Sequence, residues 1–233
     1  METYNYSQFK TAHYRVPEFL GPKAGENYVE MKVHDLQGNP VELSQYLGKR
    51  PVVLETASLT SPSYVQSLPK MRRLMQLYPD VLFLVLYVRE AHPGSLIRPH
   101  KSLGSKLMAA RQLVGTHQES RTVLVDTLEG QAHRDYGGLP NMVYLFDTEG
   151  KVAFRGDWNR PEHLAYVLKR MMAGRQVFRR DYFKPAKPKP WATWKALRFA
   201  GWPAIWNFLK NLPGMCQLSQ EANLKYSHRA LLQ

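Results

Sequence analysis

The chain has 233 residues, 44% of them hydrophobic and 22% charged, with 32 Lys+Arg against 19 Asp+Glu for a net charge of +13. This composition suits a folded core and excludes disorder throughout. No apolar run reaches the roughly 18 residues a bilayer-spanning helix needs. The opening METYNYSQFK lacks the basic-then-apolar pattern of a secretory leader.

A single cysteine, Cys216, excludes an internal disulfide framework and a Cys-based metal site. A reducing, cytoplasmic setting is therefore expected. The charge is uneven. From Arg175 to the end, eleven Lys+Arg face only Asp181 and Glu221, so this quarter of the chain carries +9. Such a tail suits an anionic partner.

Residues 1–28 read as an irregular arm laid on a domain spanning 29–174. Val29–Val33 alternates as a strand does. After the Leu36–Pro40 turn, Val41–Gly48 reads as a short helical turn closed by glycine. The apolar start Pro51–Leu54 suits a buried parallel strand. Pro62 then opens a helix whose apolar positions run from Tyr64 to Tyr78, with Pro69 expected to kink it. Val81–Tyr87 is the strongest strand. A polar loop over Arg89–His100, a helix over Leu103–Leu113, a strand over Arg121–Asp126 and a short helix over Gly130–Tyr136 follow. Met142–Phe146 and Lys151–Phe154 form a hairpin about Asp147–Gly150, and Pro161–Met172 is a helix. This order predicts an α/β fold, a mixed sheet with helices on both faces.

Residues 175–190 read as a basic, proline-spaced linker, extended over Phe183–Pro190. Residues 191–233 carry two amphipathic pieces, Trp191–Ala200 and Pro203–Leu212, and then a weakly helical end. Trp191, Trp194, Trp202 and Trp206 interleave with Lys195, Arg198 and Lys210. Tryptophan beside lysine suits a helix lying at an anionic lipid headgroup boundary, or docking in a groove of a larger protein complex. Folding back on the domain is the third reading. No nucleic-acid motif is visible, so no nucleic-acid partner is expected.

The chemistry-bearing stretch is the strand–turn–helix Val53–Tyr64, VLETASLTSPSY. It resembles the nucleophile loop of the thioredoxin-fold redoxins, specifically the iodothyronine deiodinases, whose signature is Gly-Ser-Cys-Thr-Sec-Pro-Pro-Phe. FLVLYVREAHP (Phe83–Pro93) is similar to that family's Tyr-Ile-x-Glu-Ala-His-Pro, and PHKSLGSKLMAAR (Pro99–Arg111) to its Pro-x-His-x-Ser-Leu…Ala-Ala-Arg. Val125-Asp126-Thr127 and Tyr136-Gly137 match in order, and the resemblance spans about residues 29–173.

The resemblance implies a thioredoxin-like fold and assigns roles by position. Ser61 falls on the selenocysteine, Ser58 and Thr60 on its hydroxyl neighbours, and Leu59 on the auxiliary cysteine. Tyr87, Glu90 and His92 fall on the proton-relay and substrate-side cluster, and His100 on the histidine beside the substrate phenol. It also implies a cis peptide at Pro140, facing the nucleophile loop, and admits a homodimer. Arg155–Arg160 departs from the family's glycine-rich segment.

Both redox-active positions thus hold residues without sulfur or selenium. A helix N-terminus stabilises a nearby anion by about 0.3–2 kcal/mol, too little to turn a serine hydroxyl into a redox nucleophile. The Ser61 hydroxyl is sufficient as an N-cap before Pro62, and no Gly-x-Ser-x-Gly elbow supports hydrolysis. The expectation is a non-catalytic, deiodinase-like accessory protein, without cofactor or metal, attached to a membrane face or a complex through residues 175–233. The alternative is a selenol- or thiol-dependent reductive dehalogenase in which Ser61 stands for the native nucleophile. Only then would a thiol reductant be a partner.

Overall fold

The computed structural model describes residues 4–175, 180–183 and 187–230. Among these residues eight strands form one mixed sheet in the order β2-β1-β5-β4-β3-β6-β7-β8. The middle of it is β3 (Val52–Ala57), buried along its whole length. It runs parallel to β4 (Leu82–Tyr87) and antiparallel to β6 (Val143–Phe146). Next to β4 lies β5 (Thr122–Val125), also parallel. The hairpin of β1 (Lys32–His34) and β2 (Pro40–Glu42) closes one edge. β7 (Val152–Gly156) and β8 (Arg180–Tyr182) close the other.

Continuous apolar runs in β3, β4 and β6 fit strands covered on both faces. Alternation sends their side chains to opposite layers. Leu54, Leu84, Tyr144 and Phe146 pack with the N-terminal arm. Val53, Phe83 and Leu145 pack with Met71 and Leu74 of α1 (Pro62–Leu77) and Leu164 and Leu168 of α4 (Pro161–Met172). The helices α2 (Leu103–His117) and α3 (Gln131–Asp135) lie between strands in the chain, as the sequence pattern predicts. Pro69 lies within α1, which continues through it to Leu77.

Several cations hold the arm, Lys106 and Arg134 on Tyr4, Arg155 on Phe19, and Arg89 on three rings. The Arg89 guanidinium carbon sits 4.9, 4.8 and 4.9 Å from the ring centres of Tyr4, Tyr6 and Tyr14. Its nitrogens donate to the carbonyls of Tyr4 and His13 at 3.0 and 2.8 Å. Cation–π contacts that exclude water are worth about 2 kcal/mol, so Arg89 is a strong tether of this irregular segment.

The expected strand over Val29–Val33 is shifted to Lys32–His34. The reason is local. The Tyr136 hydroxyl accepts from the Val29 amide at 3.2 Å and donates to its carbonyl at 2.6 Å, which takes Val29 out of the ladder. Val41–Gly48 splits into β2 and a 3-10 turn over Leu43–Tyr46.

The C-terminal end differs most from expectation. The stretch between α4 and the tail contains β8, which the proline spacing obscured. Lys184, Pro185 and Ala186 lie outside the described residues. After α5 (Pro190–Leu197), a single 29-residue helix, α6 (Trp202–Ala230), replaces the expected short piece and weakly helical end. Pro213 and Gly214 lie inside it. Gly214 packs against the Thr11 side chain, where its missing Cβ allows close approach of helix and arm. Among the described residues no helix is long and apolar enough to cross a membrane.

Both tail helices use small residues to lie close on the body. Ala192, Ala196, Ala200 and Ala204 are fully buried, in one cluster with Tyr64, Val65 and Leu68 of α1. At their junction the Leu96 amide donates to the Ala200 carbonyl at 3.1 Å, and a Cβ at Gly94 would overlap that carbonyl. Gly94→Ala should therefore loosen the tail, at about 1–3 kcal/mol for the forced backbone shift. Limited proteolysis should then cut near residues 198–203 faster than in the wild type. An unchanged cutting rate and melting temperature would contradict this packing.

Candidate functional site

The carboxyl end of β3 runs into Ser58-Leu59-Thr60-Ser61 and then into α1. Ser61 is the N-cap of that helix, with Pro62 in its first turn. Its Oγ accepts from the Tyr64 amide at 3.4 Å. Its own amide donates to the Ser58 carbonyl at 3.3 Å, which closes a tight loop.

Glu90 pins this loop to the segment after β4. Its Oε2 accepts from the Thr60 amide at 2.9 Å and from the Thr60 hydroxyl at 2.6 Å. Its Oε1 accepts from the Tyr87 hydroxyl, which also meets His100 Nε2 at 3.2 Å. The Thr60 Oγ1 accepts from the His92 amide at 3.0 Å, and the Ser58 Oγ from the Ala91 amide at 3.1 Å. The structure thus brings together Ser58, Thr60, Ser61, Tyr87, Glu90, His92 and His100. All of them are buried.

Burial sets the charges here. It raises the Glu90 carboxyl above its ordinary range, opposed by the hydrogen bonds from Thr60 and Tyr87. It also raises Tyr87, with the Glu90 charge adding to the effect. Burial lowers His92 to about 3, and lowers His100 to about 3 with help from the Lys106 cation. Both imidazoles are neutral near pH 7. The His92 ring is wedged between Phe9 of the arm and Phe208 of α6, with centroids 4.6 and 5.1 Å away.

Ser61, His92 and Pro140 line a cavity of about 490 Å³, roofed by α5 and α6. Leu59 points elsewhere. It is buried in the core with Tyr64 and Leu107 and does not line the cavity. A correction applies at Pro140, because the expected cis bond is absent and every described peptide is trans. The flanking groups are fixed with an ordinary trans bond between them. The Thr56 hydroxyl donates to the Leu139 carbonyl at 3.2 Å and accepts from the Met142 amide at 2.7 Å. Pro140 still lines the same cavity as Ser61.

A second polar cluster was not anticipated. The Glu55 carboxylate, fully buried in β3, accepts from Ser67, Asn141, Asn159 and Arg121 at 2.8, 2.8, 2.6 and 2.5 Å. Arg121 also donates to Glu119, which accepts from the Tyr64 hydroxyl. Burial alone would raise Glu119, but the Arg121 bonds hold it near 2. Ser67 and Tyr64 belong to the first two turns of α1, so this cluster fixes the helix that Ser61 caps. An acid inside an otherwise apolar strand was the available signal.

In the tail, Trp191 and Trp194 are half exposed, while Trp202 and Trp206 are 74% and 72% exposed. Lys195, Arg198 and Lys210 are exposed as well. Trp194 and Trp202 meet edge to face at 6.5 Å. The apolar stripe of α6 is divided, with Ile205 and Leu209 lining the cavity roof and the two tryptophans facing solvent.

Residues 19–171 match the family model described as iodothyronine deiodinase. Type I iodothyronine deiodinase of Xenopus laevis is 30% identical over 160 residues, covering 63% of each chain. Thyroxine 5-deiodinase of Sparus aurata is 30% identical over 119 residues, 47% of this chain and 44% of that one. The chain thus spans less than two thirds of the length of these curated relatives. Among solved structures, a thiol peroxidase from Chromobacterium violaceum superposes with a TM-score of 0.51 at 16% identity, over 66% of this chain and 91% of that one. Peroxidoxin BcpB from Mycobacterium tuberculosis gives 0.51 at 16% identity, over 66% and 99%. These likenesses establish the thioredoxin-like fold.

The buried imidazole of His92 makes a signed prediction. Folded, it stays neutral down to about pH 3, whereas the unfolded chain takes up the proton near 6.5. The unfolded state therefore binds more protons between those values, and this contribution to stability is lost as pH falls below about 6.5. Relative to His92→Phe, which cannot titrate, the wild type should lose about 1.4 kcal/mol per pH unit in that window. Urea melts at pH 7, 6, 5 and 4 measure the difference. A constant offset would contradict a neutral His92.

Proposed function

Because the chain belongs to the iodothyronine deiodinase family, we propose that it keeps the family's scaffold without its reduction chemistry and serves as a non-catalytic binding or accessory protein. One observation carries this reading: the atom at the head of α1 is the Ser61 oxygen, engaged as a helix cap, and the neighbouring auxiliary position is the buried Leu59. Reduction by attack on a soft halogen or peroxide needs an atom that cycles through sulfenyl or selenenyl states. A hydroxyl does not.

The test compares the wild type with Ser61→Cys, supplying dithiothreitol as donor and either hydrogen peroxide or an iodinated phenol as acceptor. The wild type should stay at the background rate. The thiol introduced by Ser61→Cys, placed at a helix N-terminus, should have a pKa below about 8.5 and react faster with iodoacetamide than Cys216 does. Saturable, thiol-dependent turnover by the wild type would overturn the reading.

The intact cradle of Thr60, Tyr87, Glu90 and His92 favours a second reading, in which residue 61 is natively cysteine or selenocysteine and the protein is a thiol-dependent reductive dehalogenase. A UGA or cysteine codon at position 61 in the source gene decides for it. A serine codon decides against it.

The tail is the proposed attachment element. Exposed tryptophans on helices that also expose lysine and arginine suit the headgroup layer of an anionic membrane. Full-length protein should co-sediment with phosphatidylserine-containing vesicles and lose most of that binding in Trp202→Ser/Trp206→Ser. Equal sedimentation of the two proteins would remove the membrane and leave docking to a larger protein complex.

A further inference from the structure

The cavity over Ser61 is only partly built from the part of the chain that resembles the deiodinases. Its floor comes from the nucleophile loop, Pro140 and the arm. Its roof comes from residues 187–219, beyond the 19–171 that the family model matches. The roof is mostly aliphatic, with Leu197, Ile205, Leu209 and Leu212 on the lining and the rings of Trp194 and Phe208 beside them. Its volume of about 490 Å³ lies within the roughly 300–1,000 Å³ of small-molecule sites.

Three features restrict what fits. Lys187 is the one charged residue on the lining among the described residues, and it is solvent-exposed. A charged group deep in the cavity would thus be buried without a counter-ion, which is costly. The second feature is His92, nine-tenths buried on the cavity wall: its Nδ1 has neither accessible surface nor a partner among the described residues, so the ring meets the cavity through Nε2. A ligand hydroxyl or carbonyl in the cavity would find its polar contact on this ring there. Third, the Ser61 oxygen already accepts from the Tyr64 amide, so its hydroxyl hydrogen is left to donate.

We propose that this cavity binds an uncharged single-chain aliphatic molecule, with its chain under the α5–α6 roof and one hydroxyl or carbonyl group at His92 and Ser61. The proposal rests on the binding reading above and names the ligand class for it. No bond is made or broken.

The test equilibrates full-length protein with 1-tetradecanol, tetradecanoate or 4-hydroxybiphenyl, then removes free ligand by gel filtration. Gas chromatography counts the molecules retained per chain. One tetradecanol per chain should be kept, and tetradecanoate should bind at least tenfold more weakly. Ile205→Trp, which fills the roof, should abolish retention. His92→Phe, which keeps the ring and removes the nitrogen, should weaken it about tenfold, as expected for one buried hydrogen bond. Circular dichroism confirms that each variant is folded. Retention of tetradecanoate or 4-hydroxybiphenyl in preference to the alcohol overturns the ligand class. So does an alcohol that is not retained, or that is retained equally by folded Ile205→Trp. None of these outcomes alters the dithiothreitol assay, so a failed ligand assignment stays distinct from a failed non-catalytic reading.

Discussion

The Glu90 carboxylate is the constraint on which the site depends. One of its oxygens takes both donors of Thr60, and the other takes the Tyr87 hydroxyl. Two loops at the carboxyl edge of the sheet are thereby locked in register, and the start of α1 is held in place. Charge-assisted hydrogen bonds of this kind are worth about 1.5–3 kcal/mol each. They offset part of the cost of burying the group. Without Glu90, Thr60 would lose both partners in a place that water does not reach.

A second constraint acts from behind the helix. Glu55, Arg121 and Glu119 form a buried ionic cluster whose hydrogen bonds reach Tyr64 and Ser67 on α1. A buried ion cluster adds little net stability compared with apolar packing, but breaking one partner is costly. Its effect here is positional, because it fixes the direction of α1 and hence where Ser61 stands. The tail then closes the space in front of Ser61. Alanines let α5 and α6 approach closely, while Phe208 and Phe9 clasp His92. The tail thus serves two surfaces at once, an aliphatic roof inside and exposed tryptophans outside.

Much of this was legible in the residues. The apolar runs of β3 and β4, Pro62 at a helix start and the hairpin about Asp147–Gly150 each follow from local rules, and α4 matches its expected bounds. The site cluster was legible because its members sit in three short motifs that the sheet topology brings to one edge. Other features were decided by contacts remote in sequence. Val29 left its strand because Tyr136 captured its backbone. The helix α6 runs on past Leu212, where Thr11 of the arm packs against Gly214. Pro140 is trans, its neighbours being held through Thr56. The Arg89 cage joins residues about 80 positions apart in the chain, and no local pattern announces it.

The account turns on which atom stands at the head of α1. Isolating the protein from its natural source and weighing the peptide that contains residue 61 measures this directly. The account predicts the residue mass of serine. A mass of cysteine or selenocysteine at that position would contradict it and make the cavity a working redox site.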